Sequence, residues 1–228
     1  QFVPNKTFDH TKIKELRPLT LIPFDAHLMI DEPVKHVRDY IDAGSDIITV
    51  HAEVCDESSF GEICDMLHSN QVGIGLAINP DTELPQWCYK FVELLDQIII
   101  MSVVPGKSGQ KFIESTHEKT RRIAKDLKEH KFEGYIEADG GVNLENIGAC
   151  FEDGARAFVG GSAIIGQSDV RMIIKEFRNQ VLESRRRLLI KKAHDLGGTE
   201  LVNSWIDLHI VGEKKDKLVQ IAKELGFQ

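Results

Sequence analysis

Six short runs rich in aliphatic and β-branched residues, at 24–30, 47–53, 73–79, 97–103, 135–139 and 157–164, alternate with longer amphipathic stretches along this chain. The runs recur about every 25 residues, which is the spacing of a repeating strand and helix unit and implies a parallel sheet with helices on its faces. Helix starts are signalled by Asp31 ahead of Pro33, Asp56 with Ser58, Asp81 with Thr82, Ser115, Asn143, and Ser168 with Asp169. Gly44, Gly134 and Gly154 stand where helices should stop before the next strand.

The faces of the strands choose between an open doubly wound sheet and a closed barrel. Alternation sets Asp25, His27 and Met29 opposite Ala26, Leu28 and Ile30; Thr49, His51 and Glu53 opposite Ile48, Val50 and Ala52; and Tyr135, Glu137 and Asp139 opposite Ile136 and Ala138. One face is aliphatic and suits a helix layer, while the other is repeatedly polar. An open sheet covered on both sides should be apolar on both, whereas the upper layer of a barrel interior can form a polar site. Gly73, Gly75 and Ala77 on the inner face of the third run leave room for a ligand. The expected fold is therefore α/β, a (β/α)8 TIM barrel. Eight strands are needed and six are legible, so the two missing strands are expected ahead of Gln1.

A chain of 228 residues suits one barrel domain. A net charge of −8 argues against generic nucleic-acid binding, which needs a basic surface. No apolar run approaches the roughly 18 residues of a membrane span, and no signal peptide is visible, so no membrane partner is expected. Cys55, Cys64, Cys88 and Cys150 are scattered and read as reduced thiols of a cytoplasmic protein.

In barrels the active site is built from the C-terminal strand ends, which here carry His27, His51, Glu53, Asn79, Asp139 and Ser162. Any one of these is ordinary as a structural residue; several on one rim cost desolvation that a purely structural core would avoid. Asp139 ends an apolar strand and is followed at once by Gly140 and Gly141. A carboxylate there serves as general acid or base, or as a metal ligand, and His27 offers an imidazole to the same ion. "DGGVN" and "GGSA" at residues 160–163 run from strand ends toward helix starts, which is a phosphate cradle of backbone amides or a pair of tight turns. The loop "VVPGKSGQKF" at 103–112, with Gly106, Lys107 and Gly109, is long enough for a mobile lid and does not fit a Walker A motif.

These segments also resemble the ribulose-phosphate 3-epimerases. The resemblance rests on "FVPN" at 2–5, "DAHLMI" at 25–30, "ITVHAE" at 48–53, "GLAINPDT" at 75–82, "IMSVVPGKSGQKF" at 100–112, "EADGGVNLENI" at 137–147 and "VGGSAI" at 159–164, in family order. It implies a (β/α)8 barrel that inverts carbon 3 of a ketopentose phosphate through an enediolate, with two aspartates exchanging acid and base roles and one divalent metal ion (zinc, iron, manganese or cobalt). By position, Asp139 resembles an acid/base aspartate and metal ligand, and His27 a metal-binding histidine. Met29 and Met101 resemble methionines lining the site, Gly140, Gly141, Gly161 and Ser162 the phosphate-binding positions, and Ala77–Pro80 with the 106–110 loop segments around the sugar. His51 and Asn79 are expected to line the same site. A second metal-binding histidine and the other aspartate would precede the segment like "FVPN", so a chain starting at Gln1 is expected to be inactive.

The resemblance implies a sugar-phosphate ligand, D-ribulose 5-phosphate and D-xylulose 5-phosphate first, and a homo-oligomer. A ketohexose phosphate such as allulose 6-phosphate, or a non-catalytic sugar-phosphate binder, are the alternatives. The related decarboxylase and hexulose-phosphate synthase group carries Asp-x-Lys-x-x-Asp where this chain reads "DAHLMI" with a histidine, which argues against it. Lys107 and Ser108 stand where the family usually has an aromatic residue and a glycine.

The resemblance covers a domain at 1–183 and leaves 184–228 as an extension with nine Lys or Arg against six Asp or Glu. "SRRRLLIKKAHDLGG" and "EKKDKLVQIAKELGF" read as two amphipathic helices, an appendage packing on the barrel or serving an oligomer.

Overall fold

The computed structural model describes residues 2, 3 and 8–195. Six strands form one parallel sheet in sequence order: β1 (Asp25–Leu28), β2 (Ile47–His51), β3 (Gly73–Ile78), β4 (Gln97–Met101), β5 (Tyr135–Asp139) and β6 (Ala155–Val159). Around them run α1 (His10–Leu16), α2 (Val37–Ala43), α3 (Glu57–Ser69), α4 (Ser115–Glu129), α5 (Ile147–Asp153) and α6 (Val170–Asp195). The outward strand residues Ile48, Val50, Ile74, Leu76, Ile98, Ile100 and Ile136 meet Phe60, Ile63, Leu67, Ile123 and Leu127 of the helices in one buried core. That is the aliphatic face read from the sequence.

The sheet is curled, and its own side chains prove it. Neighbouring strands lie about 4.8 Å apart, so β1 and β5 would be roughly 19 Å apart in a flat sheet. Instead His27 Nδ1 on β1 stands 3.3 Å from Asp139 Oδ2 on β5. One layer lower, Gln97 Nε2 on β4 donates to Asp25 Oδ2 on β1 and to Thr49 Oγ1 on β2, at 2.6 Å each. The strands thus wrap as a barrel wall. Among the described residues β1 and β6 are its two edges.

Several local expectations change. The inner face of β3 offers no ligand room at Gly75, where a Cβ would collide with Thr49 Oγ1; the glycine admits Thr49 and Gln97 into the polar layer. No α-helix follows Thr82. A 3-10 turn at Gln86–Lys90 replaces it, because the preceding Asn79–Thr82 backbone is hydrogen-bonded elsewhere, as described below. The sixth strand stops at Val159, and Gly161–Ile165 form a π-helical turn instead of continuing it. Gly44 and Gly154 do cap α2 and α5. Gly134 lies beyond the end of α4, and its role is close approach: a Cβ there would collide with Asp96 O. Helix α1, capped by Asp9, was not foreseen.

Helix α6 runs without a break across residues 183 and 184. Its Ser184 is fully buried where a Cβ on Gly148 of α5 would be 2.6 Å from the hydroxyl, and Arg187 reaches Glu152 of α5 at 3.1 Å. The second expected C-terminal helix and the glycines at 197–198 lie outside the described residues. No helix among the described residues is long and apolar enough to cross a membrane. All four cysteines are free, and burial pushes the thiols of Cys64 on α3, Cys88 in the 3-10 turn and Cys150 on α5 up to about 12.

Candidate active site

The curled sheet brings His27, His51 and Asp139 together at the C-terminal end of the strands. The His27 and His51 rings are nearly parallel, 15° apart, with centroids 4.9 Å apart, and they meet through their Nε2 atoms at 2.9 Å. His51 is fully buried behind His27 and also carries the Phe2 ring at 4.6 Å. His27 Nδ1 then faces Asp139 Oδ2. Met29 packs with Met101, Ala77, Ile99 and Val103 in an inner apolar cluster, and Met101 is in register with Asp139 across β4 and β5. An apolar wall therefore stands beside a carboxyl and an imidazole. Such a wall excludes water and strengthens electrostatic interactions within the site.

Beneath Asp139, Glu137 is buried on the same inner face; burial, then the nearby carboxylates of Asp25 and Asp139, push it up to about 8. Glu53, just past β2, differs. Burial raises it, but hydrogen bonds from His51, Thr82 and the Asn79 amide outweigh that and bring it down to about 2. Its Oε2 lies 3.1 Å from His51 Nδ1, and its Oε1 accepts from Asn79 N at 2.6 Å. Asn79 Oδ1, on the same turn, is buried with no hydrogen-bond partner.

The turn after β3 is gripped from its other side by Lys119 of α4. Its Nζ donates to the carbonyls of Asn79 at 2.5 Å and Pro80 at 3.3 Å, and also to that of Thr82. Lys119 was not singled out from the sequence. The available signal was its place on the buried stripe of α4 with Thr116, Thr120, Ile123 and Leu127. Burial brings its ammonium down to about 8. Below that pH the folded and unfolded chains both hold the proton and the folded state bears the desolvation cost. Between about 8 and the ordinary 10.5 only the unfolded chain holds it, so this group's contribution to stability rises with pH. Replacing Lys119 by Met should cost about 1–3 kcal/mol at pH 7 by orphaning the carbonyls. The gap between parent and variant should widen on the order of 2 kcal/mol toward pH 10. Denaturant titrations at both pH values test this, and a gap that stays constant contradicts it.

Asp139 is followed by Gly140 and Gly141 with φ of 114° and 65°. A Cβ on Gly140 would strike the Val103 side chain, and one on Gly141 the Phe112 amide nitrogen at 2.5 Å, so the 103–112 loop is seated on this turn. Ser102 Oγ donates to Gly140 O at 2.6 Å, and Asn146 Nδ2 to Gly141 O at 3.0 Å. Because Asp139 is in register with Val159, the loops after β5 and β6 leave the sheet side by side. Gly161 and Ser162 are exposed in the turn after β6, and a Cβ on Gly161 would meet nothing within 4 Å. Gly106 and Gly109 sit in the loop with φ of 108° and 72°, and Gln110 Nε2 ties it by donating to Val104 O at 2.6 Å and Lys107 O at 2.9 Å.

His27 Nδ1 and Asp139 Oδ2 are the pair that suits a divalent ion, and both side chains are mostly buried. Among the described residues no group of three or more His, Cys, Asp or Glu gathers in a metal-holding arrangement. The pair fits as part of a metal site.

Residues 1–165 match the model of the ribulose-phosphate 3 epimerase family. The chain is 38% identical over 178 residues to ribulose-phosphate 3-epimerase of Bacillus subtilis (strain 168), covering 78% of this chain and 81% of that one. It is 37% identical over 181 residues to ribulose-phosphate 3-epimerase of Escherichia coli (strain K12), covering 79% of each. Among solved structures, 3-hexulose-6-phosphate synthase from Salmonella typhimurium superposes with a TM-score of 0.55 at 18% identity, over 76% of this chain and 78% of that one. KGPDC from Streptococcus mutans does so with a TM-score of 0.57 at 14% identity, over 75% and 77%. At such identities these two similarities speak for the fold alone.

Proposed function

Given that this chain belongs to the ribulose-phosphate 3-epimerase family and is an isomerase of the epimerase class, we propose that it interconverts D-ribulose 5-phosphate and D-xylulose 5-phosphate by proton transfer at carbon 3. The observation that carries this reading is the placement of Asp139 beside His27, with an apolar wall on one side and the Gly140–Gly141 turn directly after it.

A proton on a carbon next to a carbonyl leaves readily only when a base is held against it and the resulting enediolate is stabilised. Asp139 is the base, or the acid in the reverse direction, on one face of the sugar. A divalent metal ion held in part by His27 and Asp139 would supply positive charge to the enediolate oxygens. Met29 and Met101 keep water from the reacting face. Asn79 Oδ1, buried without a partner, takes a sugar hydroxyl. Backbone amides at Gly140, Gly141, Gly161 and Ser162 take the phosphate at the mouths of two neighbouring strands, and the loop bearing Gly106 and Gly109 closes over it.

The reading takes the curled sheet as part of an eight-stranded barrel. β1 and β6 each pair on one side only among the described residues, and Leu21 and Ile22 just ahead of β1 are exposed, as is Val159 at the end of β6. It takes 1–183 as the catalytic domain and 184–228, which begins inside α6, as an appendage to it, in a homo-oligomer of the cytoplasm.

Incubation of the eight-stranded barrel that contains this chain with D-ribulose 5-phosphate in heavy water, followed by proton NMR, tests the central claim. Deuterium should enter at carbon 3 while xylulose 5-phosphate accumulates. Exchange at carbon 3 of allulose 6-phosphate with none on the pentulose would move the substrate to a hexulose phosphate, and no exchange on either would end the epimerase reading for this chain.

A further inference from the structure

Three titratable side chains in a row connect the Asp139 carboxyl to the end of β2. Asp139 Oδ2 is 3.3 Å from His27 Nδ1, His27 Nε2 is 2.9 Å from His51 Nε2, and His51 Nδ1 is 3.1 Å from Glu53 Oε2. The last two contacts are hydrogen-bonded and each holds one proton between its atoms, whereas His27 Nδ1 and Asp139 Oδ2 stand close without a hydrogen bond between them. Glu53 decides where those protons sit. It is held as a carboxylate, so it only accepts, and His51 Nδ1 must be the donor. His51 is fully enclosed, with the His27 and Phe2 rings against it, and a neutral imidazole there that donates from Nδ1 has a bare Nε2. His27 Nε2 must then donate to it. A neutral His27 that spends its proton on Nε2 presents a lone pair on Nδ1, aimed at the space it shares with Asp139 Oδ2.

We propose that Glu53 is a positioning residue that sets the tautomers of both histidines, so that His27 Nδ1 and Asp139 Oδ2 offer two lone pairs to one divalent cation. The inference deepens the metal-assisted epimerase reading and rests on it for its purpose. The hydrogen-bond order itself does not depend on that reading.

Glu53 is fixed for this task by what surrounds it. Its Oε1 accepts the amide of Asn79, a backbone donor whose polarity cannot be reversed, and Thr82 adds a side-chain bond. That pins one carboxylate oxygen to the turn and turns the other to His51. A ligating histidine commonly has its remaining N–H held by an acceptor, and such supports are worth roughly 10–100-fold in metal affinity. Here the acceptor is a second imidazole, and Glu53 stands behind it.

Glu53→Gln is the decisive variant because it keeps shape and changes only the order of donors. The amide oxygen must take Asn79 N–H, so the amide NH2 faces His51 Nδ1. His51 must then accept there and donate from Nε2, His27 must accept on Nε2, and the proton of His27 moves to Nδ1, where it bonds Asp139 instead of leaving a lone pair. Nitrogen NMR of 15N-histidine-labelled protein without metal reads this directly. The parent should show bare Nδ1 on His27 and bare Nε2 on His51, and Glu53→Gln should exchange both assignments.

Zinc alone, in equilibrium dialysis, should bind at least about tenfold more weakly to Glu53→Gln than to the parent. Lys119→Met, which loosens the same turn but keeps the carboxylate, controls for a merely structural effect and should leave both tautomers in place. A parent with Nδ1–H on His27, or a Glu53→Gln variant with unchanged tautomers and unchanged zinc affinity, overturns the inference. A loss of order in Lys119→Met equal to that in Glu53→Gln also overturns it, since the turn and not the carboxylate would then be responsible. Tautomers that exchange as described in a protein with no epimerase activity leave the relay standing and remove the reading of its purpose.

Discussion

Asp139→Asn should lower exchange of the carbon 3 proton by at least about a thousandfold while leaving the fold intact. The asparagine is isosteric and still accepts, but it cannot take a proton, and positioned acid–base groups are commonly worth roughly a hundred- to ten-thousandfold. Fold loss is not expected, because the Asp139 backbone holds the strand end: its carbonyl accepts Ser102 N at 2.7 Å and Ser102 Oγ at 3.0 Å, bonds the substitution does not touch. Deuterium uptake at carbon 3, measured beside thermal melting of the same sample, separates the two effects. Retained exchange in a folded variant would place the base elsewhere, and Glu137 two residues back on the same inner face would be the first residue to test.

Gly141→Ala should destabilise the protein by about 2–4 kcal/mol and weaken substrate binding at the same time. Two costs add: a left-handed φ of 65°, worth about 1–2 kcal/mol for a residue with a side chain, and a Cβ 2.5 Å from the Phe112 nitrogen, which is backbone and cannot rotate away. Relief requires the 103–112 loop to lift from the turn, so KM should rise several-fold. Gly109→Ala supplies the contrast. Its φ is 72° but a Cβ there would meet nothing within 4 Å, so only the conformational cost of about 1–2 kcal/mol applies. Denaturant melts of the two variants and of the parent decide the matter. Equal losses would mean that the contact with Phe112 contributes nothing.

What was legible in the sequence was what short-range pattern encodes. The alternation of His27 with Leu28 and of Glu137 with Ile136 fixes which face meets the helices, since a one-residue slip would bury the charges among Phe60 and Leu67. Asp139 with Gly140 and Gly141 is legible because carboxyl, strand end and turn are adjacent in the chain. The Lys119 grip was hidden because its acceptors are backbone carbonyls 37 to 40 residues away, which have no side-chain signature. The same grip, with Glu53 on the Asn79 amide, explains why "DTELP" does not open a helix as its Asp81 and Thr82 suggest. The end of β6 was misjudged because "FVGGSAII" is a continuous apolar run, and such a run carries no period to distinguish a strand from the turn that Gly160 and Gly161 permit. That Asp139 of β5 faces His27 of β1 follows from the curl of the wall, a property of all the strands at once.

Three of the four thiols give this protein a built-in set of clocks. Cys64 and Cys88 sit where α3 and the 86–90 turn pack together and Cys150 sits under α5, with exposures of 1%, 0% and 3%, and in the closed state their thiols are neutral and sheltered. An alkylating reagent can reach each only when its cover opens, so labelling at Cys64 and Cys88 counts openings where α3 and the 86–90 turn pack together, and labelling at Cys150 counts openings of α5. A ligand that holds the loop down on Gly141, at the end of β5, should slow labelling at Cys150 on the next helix more than at Cys64.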